Sequence, residues 1–343
     1  MSTGQRWTHD VGDHVAAVAW LPDGKLLAVA PAVGGIVLLD RATGEVRCKL
    51  AGHTPANCVL SAARGLLASG GQDGIARIWN TDTGELVREL RASDTASDWC
   101  EHAQFSSDGT LLATTAGRTL RVWKTTGERV FETTAHDSTI AALAWRPDGA
   151  GVGTGCYNGA QLFRAKDGVW EPHSYEELRW KGSIISLSWS PNGRYVAGGS
   201  QEATIQFWKL PYRPGEELFM SGYATKIREL AWDAASRYLA SGGGEIITVW
   251  DVSGKGPRGT TPKQLEGHTA RITQLAFQNR GPLLASGGAD GRVFIWDLVK
   301  SQRHRHELSP TSSVAALAWS SDDAVLAIGA ADGNVCVWES RPA

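Results

Sequence analysis

Gly267-His268, Ile272-Thr-Gln-Leu-Ala-Phe277, Leu283-Leu-Ala-Ser-Gly-Gly288, Asp290-Gly291 and Val293-Phe-Ile-Trp296-Asp297 follow one another within a single stretch of chain. Three short apolar segments are separated by Gly- and Asp-bearing breaks. Segments this short, rich in β-branched and aromatic residues and bounded by turn formers, predict strands joined by hairpins rather than helices. The Asp290-Gly291 pair is the strongest turn signal, because a tight hairpin turn asks for positive φ at its central residues.

The same arrangement recurs along the whole chain. Its third segments end at Leu39-Asp40, Trp79-Asn80, Trp123-Lys124, Phe163-Arg164, Trp208-Lys209, Trp250-Asp251, Trp296-Asp297 and Trp338-Glu339. A fourth strand lies between units, for example Gly84-Glu-Leu-Val-Arg-Glu-Leu90. Successive ends lie 40 to 46 residues apart. A single unit cannot bury both of its faces, so units must stack on one another. No segment carries sustained helical periodicity. The sequence therefore predicts an all-β fold, residues 1-343 as one domain.

Repeat length, Gly-His near the start and Trp-Asp at the end resemble the WD40-repeat family over essentially the whole chain. The resemblance implies a single closed β-propeller. Eight blades are favoured, with seven as the alternative if the degenerate first unit lies outside the ring. Val15-Ala-Ala-Val-Ala-Trp20 and Pro22-Asp-Gly24 fit the pattern and argue for eight. The chain stops at Ala343, too soon after Trp338 for the last unit to form its own outer strand. The unpaired candidate Gln5-Arg-Trp-Thr-His-Asp-Val11 is expected to supply it.

Of 15 tryptophans, eleven occupy repeat positions (20, 79, 123, 145, 189, 208, 232, 250, 296, 319 and 338) and are read as core. The family's hydrogen-bonded quartet carries over onto His53, Ser69, Asp73 and Trp79, and onto His268, Ser286, Asp290 and Trp296. A Ser-His-Asp trio also suggests a hydrolase. A catalytic serine, however, needs an exposed hydroxyl and an oxyanion hole, whereas these lie in mid-strand and occur in two units. Structural tetrads are the better reading. The fourth unit keeps His136 but has Asn158 and Phe163, so its quartet is broken.

Composition narrows the partners. With a net charge of −2 and charged residues at 20%, the 343-residue chain has no field to draw nucleic acid or an anionic membrane surface. No apolar stretch approaches the ~20 residues of a membrane span, and the N-terminus lacks a secretory h-region. Cys48, Cys58, Cys100, Cys156 and Cys336 are odd in number and unclustered, which suggests neither a disulfide framework nor zinc. A reduced cytoplasmic setting is expected, with no cofactor. Cys100 and His102 together fall short of a zinc ligand set.

Aligning the units by their first-strand aromatic singles out a loop position six residues earlier. It is held by His14, Asn57, Trp99, Thr139, Ser183, Lys226, Arg271 and Ser313 and is expected to project. Four tryptophans lie outside core slots, at 7, 99, 170 and 180, and Trp99 alone interrupts this otherwise polar position. An exposed indole amid polar groups is what a binding hot spot looks like. Glu101, His102, Arg118, Tyr157, Lys226, Arg228 and Arg271 are placed around it as candidate partner-binding residues. The rival reading folds Trp99 over its own blade.

A non-catalytic interaction scaffold for protein or peptide partners is the favoured function. The alternatives are a small-ligand receptor and a propeller enzyme using the channel mouth. Trp180-Lys-Gly-Ser, Gly222-Tyr-Ala-Thr-Lys-Ile-Arg-Glu-Leu-Ala-Trp232 and Phe277-Gln-Asn-Arg-Gly-Pro-Leu-Leu-Ala-Ser286 are similar to a group of bacterial WD-repeat proteins. That group is associated with gene neighbourhoods of CobW-type metallochaperone GTPases, which the resemblance offers as a partner.

Overall fold

The structure is a computed structural model that describes residues 4–95, 97–254, 256–299, 304–310 and 312–340. Among them, only β-strands and connecting turns occur as regular structure. By packing the chain divides into two compact units, Met1–Gly52 with Ala231–Ala343, and His53–Leu230. The sequence predicted one domain; in a repeat fold each sheet packs on its sequence neighbours, so contacts are local and the chain can be divided between sheets.

The first unit holds four antiparallel four-stranded sheets. One runs Val15–Trp20, Leu26–Pro31, Ile36–Asp40, Val46–Leu50 in chain order. Two more follow the same order from Leu230–Trp232 to Lys263–Leu265 and from Ile272–Phe277 to His304–Leu308. The last contains Val314–Trp319, Val325–Ala330 and Asn334–Glu339. Its outer strand is Gln5–Asp10, paired antiparallel with Asn334–Glu339 from Gln5 opposite Trp338 to Asp10 opposite Asn334. Trp7 leaves that strand to donate its indole N–H to the Arg41 carbonyl at 2.8 Å and lies against Gly44.

In the second unit, Asn57–Ala63 to Leu86–Arg91 and Cys100–Phe105 to Arg129–Thr133 repeat the pattern. The next two repeats run together into one sheet. Gly151–Lys166 supplies two consecutive strands of the fourth repeat, and Glu176–Trp189 serves the fourth repeat and then the fifth.

Burial follows the repeat. Second strands such as Tyr195–Ser200 and Leu283–Gly288 are wholly buried, and outer strands such as Leu86–Arg91 are mostly exposed. Two faces of each middle strand are covered by neighbouring sheets, which is why these strands read as continuous small-apolar runs. First-strand tryptophans tie adjacent sheets: Trp145 donates to the Gln104 carbonyl, Trp319 to Ala276 and Trp20 to Ala318, at 2.8 to 3.0 Å. Gly74 and Gly291 follow the turn aspartates with φ of +72°, a region that L side chains enter only with strain.

Candidate functional site

Two quartets form unbroken hydrogen-bond chains. Asp73 accepts from His53 Nδ1 at 2.8 Å, Ser69 meets Nε2 at 2.9 Å, and the Trp79 indole donates to Ser69 at 3.0 Å. His268, Asp290, Ser286 and Trp296 repeat this at 2.9 to 3.1 Å. A carboxylate only accepts, so at His268 Nδ1 carries the proton and Nε2 accepts the Ser286 hydroxyl; at His53 the Arg77 guanidinium also lies 2.7 Å from Nδ1. Both serines are fully buried, and with the hydroxyl committed to His and Trp neither is presented to a substrate. Burial lowers the pKa of His53 and of His268, against the opposing pull of each aspartate.

The fourth repeat has rewired its histidine rather than lost it. His136 Nδ1 donates to the Arg118 carbonyl at 3.0 Å and Nε2 accepts from Thr154 at 2.8 Å, beside Phe163. Burial takes its pKa down to about 4. In the third repeat Trp123 donates to Thr114, while a buried Arg121 bridges Asp94, Glu132 and the Arg91 carbonyl. The Arg121 cluster escaped the sequence reading, although a charged residue two positions before a core tryptophan was its signal.

Trp99, just before Cys100–Phe105, is 47% exposed. The other off-slot tryptophans are packed: Trp7 as above, Trp170 stacked on Phe131, and Trp180 on Phe219. Trp99 thus keeps about half of its surface open to solvent. The slot inward of it is buried at Val15, Cys100, Ile140, Ile184, Ile227, Ile272 and Val314 and half-buried at Cys58. Asn57, expected to project, is instead buried, its Oδ1 accepting the His53 amide at 2.9 Å.

The loop holding Trp99 is fixed by its neighbour. Asp98 accepts from Ser93 at 2.8 Å, and its carboxylate abuts Gly117, immediately before the exposed Arg118. From there a relay of bonds runs across the second unit. Ile140 donates to the Gly117 carbonyl, Tyr157 to Ser138, Ser183 to the Glu202 carboxylate, and Ile227 to the Ser200 carbonyl. These bonds tie the loops of neighbouring repeats in the second unit to one another. Tyr157 is 49% exposed at a hollow of ≈ 260 Å³ with Asp137, Asn158 and Arg179. Arg228 is exposed and Lys226 half-buried.

Glu101 is exposed, and its carboxyl is raised by partial burial and by Asp98. His102 turns to Thr115, 2.7 Å away, and burial takes its pKa to about 4; it is a neutral group tied into its own sheet, with little to offer a partner. Arg271 is exposed in the first unit, before Ile272–Phe277, where its carbonyl accepts the Ala289 amide. Among the described residues no group of three or more His, Cys, Asp or Glu is arranged to hold a metal, and no helix is long and apolar enough to cross a membrane.

Repeated four-stranded antiparallel sheets, linked by first-strand tryptophans and carrying His-Asp-Ser-Trp chains, define the WD40 β-propeller class. The chain belongs to the WD40 family (WD domain, G-beta repeat), whose pattern matches residues 44–80, 84–124, 174–209, 259–297 and 301–339, more than half of it. It is 33% identical over 118 residues to the Arabidopsis thaliana protein "Cell division cycle 20.1, cofactor of APC complex" (34% of this chain, 25% of the relative). The Dictyostelium discoideum "Anaphase-promoting complex subunit cdc20" is 29% identical over 222 residues (62% and 43%). The Aspergillus fumigatus "Protein transport protein sec13" is 23% identical over 255 residues (63% and 81%). The chain thus spans a quarter to under a half of the length of the first two. These relatives are eukaryotic, unlike the bacterial group suggested by the sequence. Among solved structures, the computationally designed Ika8 protein matches 98% of this chain and 100% of its own, with TM-score 0.81 and 23% identity, a likeness of fold.

Proposed function

We propose that this chain is a non-catalytic scaffold that holds a protein or peptide partner against the loop edge around Trp99. The carrying observation is the half-exposed indole of Trp99, held on a loop that Asp98 pins, while the other off-slot tryptophans are packed. Glu101, Arg118, Tyr157, Lys226 and Arg228 of the same unit supply its polar and aromatic surroundings. An aromatic anchor surrounded by mixed charge is the composition of an interface hot spot. Relatives named as a cofactor of the APC complex and a protein transport protein support assembly with other proteins as the general role. A CobW-type GTPase is one partner to try.

The framework of the proposal is an eight-bladed ring. The eight repeats of the sequence, the pairing of Gln5–Asp10 with Asn334–Glu339, and the likeness to Ika8 across nearly the whole chain support it.

The test is a pair of captures from extract of the native cell, one with the protein and one with Trp99→Ala. The substitution is expected to weaken partner binding by ~2 kcal/mol or more, roughly 30-fold, with the melting temperature unchanged. Equal recovery of the same partners by both proteins overturns the reading.

A further inference from the structure

A second hollow of ≈ 540 Å³ lies in the second unit between the turns of the fourth and fifth repeats, away from the Trp99 loop in sequence and in bonding. Its lining brings together Arg146, Arg164 and Arg194 with Tyr175 and Pro211, and Glu176 is the one acidic side chain among the lining residues. Each arginine comes from a different turn or strand end: Arg146 follows Ala142–Trp145, Arg164 lies in Gly151–Lys166, and Arg194 precedes Tyr195–Ser200. Three arginines lining one concavity is a charge arrangement that a fold does not need for itself.

Two of the three are oriented from behind. Arg164 donates to Glu171 at 2.9 Å and lies over the Tyr175 ring at 4.7 Å from its centroid. Arg146 pairs with Asp148 at 3.0 Å. Neither carboxylate lines the hollow, so each serves to aim a planar fork of five N–H donors that a single acceptor cannot saturate. Arg194 is exposed and its side chain makes no ion pair among the described residues. Glu176 is the acidic side chain that an anionic ligand would meet there; burial raises its carboxyl above the ordinary value, against a backbone hydrogen bond from Tyr212 that lowers it.

The geometry points to a binding site for a phosphate monoester, whose dianion is gripped by Arg146, Arg164 and Arg194 while its organic portion rests on Tyr175 and Pro211. A monoester oxygen triad accepts from several forks at once, which a lone carboxylate with two oxygens does less completely. The volume lies within the range of small-ligand sites and exceeds what a bare oxyanion fills. The ester is carried either by a peptide side chain or by a small metabolite; the chemistry read is the same.

The experiment is calorimetric titration of the full chain with phenyl phosphate, an acetyl-Ala-phosphoserine-Ala-amide peptide, inorganic phosphate and benzoate. One equivalent of ester is expected to bind, and tighter binding of the peptide or of the aryl ester identifies the source. Arg194→Gln is expected to weaken ester binding at least about tenfold while melting like the native protein, since that side chain is exposed and makes no ion pair among the described residues. Trp99→Ala is expected to leave ester binding unchanged, so this site stands or falls apart from the partner edge. Benzoate or inorganic phosphate binding as tightly as the esters, no saturable ester binding, or an undiminished affinity in Arg194→Gln overturns the assignment.

Discussion

His268 touches Asp290 on one ring nitrogen and Ser286 on the other, and the serine in turn takes the Trp296 indole proton. Removing one member strands its neighbours in a buried place, so His268→Ala and Asp290→Ala are each expected to cost ~1–3 kcal/mol. Both substitutions break the same chain, so the double variant should lose less than the sum of the singles in urea denaturation. Strict additivity would sink the idea of one network. At this scale the sequence was readable where a quartet kept its residue types, as at His53 and His268. His136 was harder, because its partner is a backbone carbonyl, that of Arg118, which no residue letter announces. The Trp208 and Trp338 indole N–H groups, by contrast, lack a hydrogen-bond partner among the described residues, in repeats where Gly198 and Ile328 stand in the serine position.

One element, Gln5–Asp10, carries more of the architecture than its six residues suggest. It covers the edge of Asn334–Glu339 and, through Trp7, grips the turn at Arg41 and Gly44 of the first sheet. Deleting residues 1–12 would bare a strand edge rich in Val and Trp, which invites pairing with other chains. The truncated protein is expected to melt lower and to aggregate in light scattering; a melt identical to that of the full chain would show that the strand is dispensable. Strand positions were legible because the period-2 pattern recurs, and Asp-Gly marks the turn before the third strand at Asp73-Gly74, Asp290-Gly291 and Asp332-Gly333. They blurred in the fourth, where Tyr157-Asn158-Gly159 replaces the Asp-Gly turn and the backbone runs on as Gly151–Lys166. Asn158 there takes a φ of 70°, a conformation asparagine tolerates better than most residues, so the turn survives without its usual letters. The partner edge was legible only in part: an odd tryptophan in a polar slot stood out, but the burial of Asn57 and the inward turn of His102 depend on packing that a one-dimensional alignment does not contain.

Across the whole molecule, burial lowers the pKa of four histidines, at 53, 102, 136 and 268, and takes two of them, His102 and His136, to about 4. In the unfolded chain each returns to about 6.5. The unfolded state therefore binds more protons between these values, and stability must fall as pH drops from about 6.5 toward 4, by up to about 1.4 kcal/mol per pH unit for each histidine fully engaged. Above about 6.5 this contribution is fully present and flat. Below about 4 the loss from His102 and His136 is complete, and the carboxylates held low by their partners take over, Asp290 and Asp322 among them, the latter at about 2 beside Ser320 and Arg41. Glu101 and Glu176, raised by burial, work in the opposite direction but are only two. Urea denaturation at closely spaced pH values should thus show a steep limb between about 4 and 6.5. His136→Gln removes one titrating group, and His136 is fully buried. Its limb should be shallower by about one proton, even though the variant is less stable at pH 7. A native protein whose stability is level from pH 7 to 4.5, or a variant with an unchanged slope, would mean that these imidazoles titrate as they do in water.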